Sequence, residues 1–192
     1  MYDEKVIDDI KNFLIDRRQT IAVAESLTSG HLQVALGSAE NASKFFQGGI
    51  TAYNLGQKAR HLKIEPIHAE SCNCVSEKVA SEMAINAISL FSTDWSIGIT
   101  GYAAPVPECS VEIPFAYYAI CFREKLLRIN KIESDNDNPM QVQIIFVDAV
   151  LQDLLDLIKG NEDQSSFSSK DLNSISSRLA SAGPVSTSPS TE

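Results

Sequence analysis

The order of the residues predicts an α/β fold: three layers, α/β/α, with a mixed central sheet in a single domain. Apolar strand-like runs alternate with helical patterns as far as Thr100. Two strand patterns then follow each other across a charged turn, and an amphipathic helix closes the body. Strands alternating with helices imply a parallel sheet covered on both faces, and the late hairpin makes the sheet mixed. A chain of 192 residues with 44% hydrophobic and 21% charged residues is long enough for one sizeable core.

The elements follow in chain order. Val6, Ile10, Phe13 and Leu14 share one face of a first helix. Residues 20–24 (TIAVA) suit a buried strand, and ESLTSG then reads as a turn and cap before the helical HLQVAL. Residues 49–53 (GITAY) read as a second strand and residues 57–62 as a short helix. Ser76 is placed to cap a long helix through Phe91, with Val79, Met83, Ala87 and Ile88 inward. Residues 95–100 (WSIGIT) form a third strand and lead into the Pro-containing loop GYAAPVPE. Residues 115–122 and 126–133 read as a hairpin around Arg123, Glu124 and Lys125. Asn138 caps the last helix, and Pro139 takes its first position. Val142, Ile145, Phe146, Ala149, Val150 and Leu154 are expected on its buried face.

Composition divides the chain near Gly160. Eleven of the residues from 160 to 192 are serine, so a domain over 1–159 is expected to precede a mostly disordered tail. Acidic residues number 25 against 16 basic ones, for a formal net charge of −9. That balance argues against a basic nucleic-acid binder. No apolar stretch has the roughly 18 residues of a membrane span, and the N-terminus lacks a signal-peptide core. A cytoplasmic enzyme or binding domain is the class that remains. Cys72, Cys74, Cys109 and Cys121 and the scattered His31, His61 and His68 lack zinc-ligand spacing. No metal is expected, and the cysteines are read as reduced.

Ligands of such sheets bind off the carboxyl ends of the strands. Three polar segments fall there: 25–30, 53–58 and 100–108. Ser26 sits at a strand-to-helix turn, where a hydroxyl can face a site and the helix-start N–H groups near Thr28, Ser29 and Gly30 can hold an oxyanion or phosphate. The same residues also suit a plain N-cap. A serine needs a base, and none of the histidines is placed for it. Lys58 can serve if burial lowers its pKa, with Tyr53 as proton relay; by spacing alone it equally suits a surface lysine.

Taken together, these segments resemble the C-terminal domain of the CinA family. TIAVAESLTSG resembles that family's T-(I/V)-A-x-A-E-S-C-T-G-G, and FFQGGITAYNLGQKARHLKI its F-x-x-G-x-(V/I)-x-Y-S-N-x-x-K-x-x-x-L-G-V. CVSEKVA resembles its helix start (A/C)-V-S-x-x-V-A, WSIGITGYAAPVPE its A-(V/I)-x-(V/I)-T-G-I-A-G-P-x-G-G, and PFA its P-V-G. The likeness runs from about residue 4 to residue 158. It implies an amidase that converts nicotinamide mononucleotide to nicotinic acid mononucleotide and ammonia, in pyridine nucleotide recycling. It assigns Ser26 as nucleophile, Lys58 as general base and Tyr53 as relay, with Glu25, Thr28, Ser29, Gly30, Thr100 and Gly101 around the substrate. It implies no cofactor, a small-molecule nucleotide as partner, no nucleic acid or membrane, and a homo-oligomer. With about 20 residues before the first signature, the extra N-terminal hydrolase domain of two-domain relatives is not expected.

Several positions depart from the family pattern. C-T-G-G becomes Leu27-Thr28-Ser29-Gly30, and Tyr-Ser-Asn becomes Tyr53-Asn54-Leu55. The glycine-rich G-P-x-G-G becomes Ala104-Pro105-Val106-Pro107-Glu108, which adds a carboxylate where a substrate phosphate is expected. No arginine lies between Arg128 and Arg178. The alternative expectation is therefore a catalytically impaired relative with a nucleotide-binding or regulatory role.

Overall fold

The structure is a computed structural model that describes the backbone of residues 2–181 and the side chains of residues 2–160. The chain divides into two units, Met1–Leu155 and Asp156–Glu192, and the site lies wholly within the first. Of the expected 160–192 tail, the side chains from 161 onward and the whole of 182–192 lie outside the described residues.

Helix α1 (Glu4–Asp16) starts at Asp3, whose carboxylate accepts from the N–H groups of Lys5 and Val6. Val6, Ile7, Ile10 and Leu14 are buried along it; Phe13 is only half-buried, with the Arg17 guanidinium 3.7 Å over its ring. Strand β1 (Ile21–Glu25), helix α2 (His31–Gly37) and strand β2 (Phe46–Thr51) follow. Next come α3 (Leu55–Leu62), α4 (Pro66–Ser71), α5 (Glu77–Phe91) and β3 (Trp95–Tyr102). The hairpin β4 (Phe115–Phe122) and β5 (Lys125–Glu133) precedes α6 (Pro139–Ser181).

The five strands lie in the order β2-β1-β3-β4-β5. β1 is parallel to β2 and β3, whereas β4 runs antiparallel to β3 and β5. The sheet is therefore mixed. Side chains alternate across it. Ala119 and Cys121 of β4 pack with Ala80, Ala84 and Ile88 of α5, while the hydroxyl of Tyr118, between them, donates to Asp153 of α6 at 2.7 Å. Helices thus cover both faces. Gly98 sets how close α5 comes: a Cβ there would lie 2.4 Å from Ala80 O and from Ala84 N. The hairpin turn is two residues, Arg123 (φ 48°) and Glu124 (φ 65°), both left-handed as the strand twist demands.

Three expectations need correction. Ile145 and Ala149 are exposed, because the buried stripe of α6 runs through Val142, Phe146, Val147, Val150 and Leu154. At about 100° per residue, Ile145 and Ala149 fall outside it. β2 begins and ends earlier than 49–53. The Ala52 N–H still reaches Glu25 O (2.9 Å), but the chain then leaves the sheet so that Asn54 can cap α3. Helix α4 was not expected at all, although Glu65 accepts from Ile67 and His68 N–H and Pro66 takes the first position.

Among the described residues no helix is long and apolar enough to cross a membrane, and no group of three potential metal ligands occurs. The four cysteines are free.

Candidate active site

The site begins where β1 ends. Glu25 is the last strand residue and is wholly buried. Its carboxylate accepts from the N–H groups of Gly30 (3.2 Å), Leu32 (3.0 Å) and Gln33 (3.0 Å), and from Gln33 Nε2 (3.2 Å). The residue expected at the substrate is thus the anion at the start of α2, and it neutralises that helix end from within. Replacing it with glutamine swaps one acceptor oxygen for a donor facing other donors. Glu25→Gln is expected to lower stability by about 1–3 kcal/mol, read as a reduced urea midpoint with an unchanged slope.

Five residues span the turn between β1 and α2. Ser29, at φ 52°, gives its N–H to Ser26 O (3.2 Å), and Gly30, at φ 104°, gives its own to Glu25. Neither is free for an oxyanion. The N–H groups of Leu27 and Thr28 have no partner among the described residues, and neither does the buried Thr28 hydroxyl. Gln143 of α6 donates to Leu27 O at 2.6 Å and holds the turn from the other layer.

Lys58 enters from α3. Asn54 caps that helix through Gln57 N–H (3.0 Å), which places Lys58 one turn in, pointing back under β1. Its side chain is almost entirely buried, at 1% exposure, so it is not a surface lysine. Nζ lies 2.8 Å from Ser26 Oγ, 2.9 Å from Ala52 O and 3.3 Å from Tyr53 O. None of these partners is charged. Burial therefore lowers the Lys58 pKa below the ordinary lysine range, opposed only in part by the nearby Cys74 thiol. A neutral amine fits the geometry. Its two N–H bonds satisfy the two carbonyls, and its lone pair meets the Ser26 hydroxyl.

Tyr53 lies in the loop after β2. The residue is 71% exposed and its hydroxyl bonds to neither Ser26 nor Lys58; its link to the amine is its carbonyl. Thr100 lines the cavity, and its hydroxyl donates to Cys74 O at 2.8 Å. Gly101 serves strand packing, since a Cβ there would lie 2.2 Å from Phe115 O. Glu108 is exposed and lines no cavity beside Ser26.

The cavity over Ser26 and Lys58 has a volume of about 300 Å³, within the size of a small-molecule site. Two of its wall residues, Asn73 and Tyr102, were not among the expected site residues, although Tyr102 lies in the polar segment 100–108. They lie 29 positions apart and meet only through the fold, with Asn73 Nδ2 donating to the Tyr102 hydroxyl at 2.9 Å.

Comparison with known proteins places these observations in context. The sequence profile of the CinA C-terminal domain matches residues 3–158. A CinA-like protein of Prochlorococcus marinus strain SARG is 40% identical over 103 residues, 54% of this chain and 24% of that protein. Another, from strain AS9601, is 31% identical over 150 residues, 77% of this chain and 35% of that protein. The chain thus spans well under half the length of these relatives. Among solved structures, a competence or damage-inducible protein from Enterobacter asburiae superposes with a TM-score of 0.75 at 26% identity, covering 82% of this chain and 99% of that one. A CinA superfamily protein from Escherichia coli superposes with a TM-score of 0.73 at 30% identity, covering 80% and 89%.

Proposed function

Because this chain belongs to the CinA C-terminal domain family and its Ser26 and Lys58 meet out of water, we propose that it is a serine–lysine amidohydrolase. The reaction is the one the family resemblance implies: hydrolysis of the carboxamide of nicotinamide mononucleotide, or of a close analogue, to the acid and ammonia. The observation that carries this is the 2.8 Å contact of Ser26 Oγ with a buried lysine that has no charged partner.

The chemistry follows from that contact. Neutral Lys58 takes the hydroxyl proton as Ser26 Oγ bonds to the amide carbon, and the carbonyl oxygen becomes an oxyanion. Its donors are the Leu27 and Thr28 N–H groups, which have no partner among the described residues. As the C–N bond breaks, Lys58 returns the proton to the leaving nitrogen and ammonia departs. Water then attacks the acyl-serine, Lys58 takes its proton, and Ser26 leaves with that proton while the acid is released. Ordered general-base help of this kind contributes about 10²–10⁴-fold. The relay role that the resemblance implies for Tyr53 is not needed in these steps, because Lys58 meets Ser26 directly and Tyr53 reaches the amine only through its carbonyl.

An ammonia assay with purified protein tests the reading. Ammonia and nicotinic acid mononucleotide are expected in equal amounts from nicotinamide mononucleotide. Nucleotide binding without ammonia from any nicotinamide compound would move the assignment to a binding or regulatory role. The substituted loop at 104–108 is the feature that favours that role.

A further inference from the structure

A second cavity, of about 440 Å³, opens beside the one over Ser26 and Lys58. Asn73, Val75 and Tyr102 line both, so the Asn73–Tyr102 hydrogen bond lies on the rim that the two cavities share. This shared rim is held from both sides. Asn73 and Cys74 both take left-handed φ, 49° and 60°, and Cys74 is fixed by its N–H to Ala69 O (2.6 Å) and by the Thr100 hydroxyl on its carbonyl. On the other side, the Tyr102 ring meets Phe115 edge-on at 5.5 Å, and Phe115 meets Tyr117 in the same way at 5.8 Å.

The walls of the second cavity have a definite chemistry. Tyr102, Phe115, Val111 and Cys109 supply aromatic and apolar surface, and Glu70 supplies a carboxylate. Among the described residues, Lys58 is the one lysine or arginine lining either cavity, and its amine is turned to Ser26. Lys131 covers the Phe115 ring, 4.5 Å from its centre, but is ion-paired with Glu133 and lines neither cavity.

Resting on the amidohydrolase reading, we propose that the second cavity receives the part of the substrate beyond the scissile amide and selects an uncharged or cationic group over a phosphorylated one. A phosphate monoester carries a charge of about −1.5 to −2 near pH 7. Here it would exchange water for aromatic edges and face Glu70 with no cation to pair it. An uncharged ribose loses little by the same move, and a pyridinium ring gains from the aromatic faces and the carboxylate. The nicotinamide nucleoside therefore fits better than its 5′-phosphate. Glu70, exposed on α4, takes the discriminating role that the sequence suggested for Glu108.

Binding to the Ser26→Ala protein, measured by titration calorimetry with nicotinamide riboside and with its 5′-monophosphate, tests this without turnover. The nucleoside is expected to bind at least about tenfold more tightly, and wild-type kcat/KM to favour it in the same sense. Glu70→Lys supplies the missing cation and is expected to cut that preference about tenfold or reverse it. Equal or tighter binding of the monophosphate, no binding of either, or an unmoved ratio in Glu70→Lys would overturn the subsite. Ammonia release with a preference for the monophosphate would leave the amidohydrolase standing and remove this inference. A nucleoside preference in binding without ammonia from the wild type would do the reverse.

Discussion

Ser26→Ala is expected to lower kcat for ammonia release by on the order of 10³-fold or more, with little change in stability. No neighbouring hydroxyl can take over. Thr28 is wholly buried, and the Ser29 hydroxyl points back to Leu27 O at 3.4 Å. The substitution removes one hydrogen bond, while Lys58 keeps the Ala52 and Tyr53 carbonyls. The thermal midpoint should therefore move by no more than about 1 kcal/mol implies. An ammonia assay and a melting curve on the same preparation separate the two effects. Turnover within tenfold of wild type would sink the serine mechanism whatever the substrate.

Lys58→Met should cost nearly as much activity, because serine and base act as a unit. It also carries a pH signature. The wild-type base works when neutral, so kcat/KM should rise with pH and level off at a midpoint below the ordinary lysine value, as the lowered pKa of Lys58 requires. The stability consequence has a definite sign. Folding lowers this pKa, so between the folded value and the unfolded value of about 10.4 the unfolded chain binds more protons. Stability contributed at this position is least at low pH and grows as pH rises through that window. The wild type should gain on Lys58→Met over that window, seen as a converging or reversing difference in thermal midpoints. A pH-independent difference would mean that Lys58 titrates normally.

The Ser26–Lys58 pair was legible in the sequence, and its surroundings were not. Ser26 and Lys58 stand out because a strand, a turn and a capped helix leave local patterns. Those patterns carry the family signature as well. Glu25 was placed at the substrate on the family resemblance, and a carboxylate at a strand end looks the same in sequence whether it faces a ligand or a helix. The five-residue return to Gly30 shows only in space. The register of β2 was misplaced because Phe46 to Thr51 contains Gly48 and Gly49, which blur alternation, while the Tyr53 region looks more strand-like. Asn73 had no local mark, and Tyr102 was marked only as part of the polar segment 100–108. What brings them together is the meeting of the α4–α5 loop with the end of β3.

The pairing of β1 with β3 has a consequence for how the site comes into being. Ile21 lies opposite Trp95, so the central parallel pair joins segments 74 positions apart. Loop closure over such a distance is slow compared with forming the hairpin across Arg123 and Glu124. Thr100 and Tyr102, which β3 brings, complete the walls around an amine already anchored through α3. Until they dock, Lys58 is an ordinary hydrated ammonium and Ser26 an ordinary alcohol. The burial that lowers the Lys58 pKa is therefore completed by a pairing of segments distant in sequence, and the lysine of a nascent or partly unfolded chain is an ordinary one.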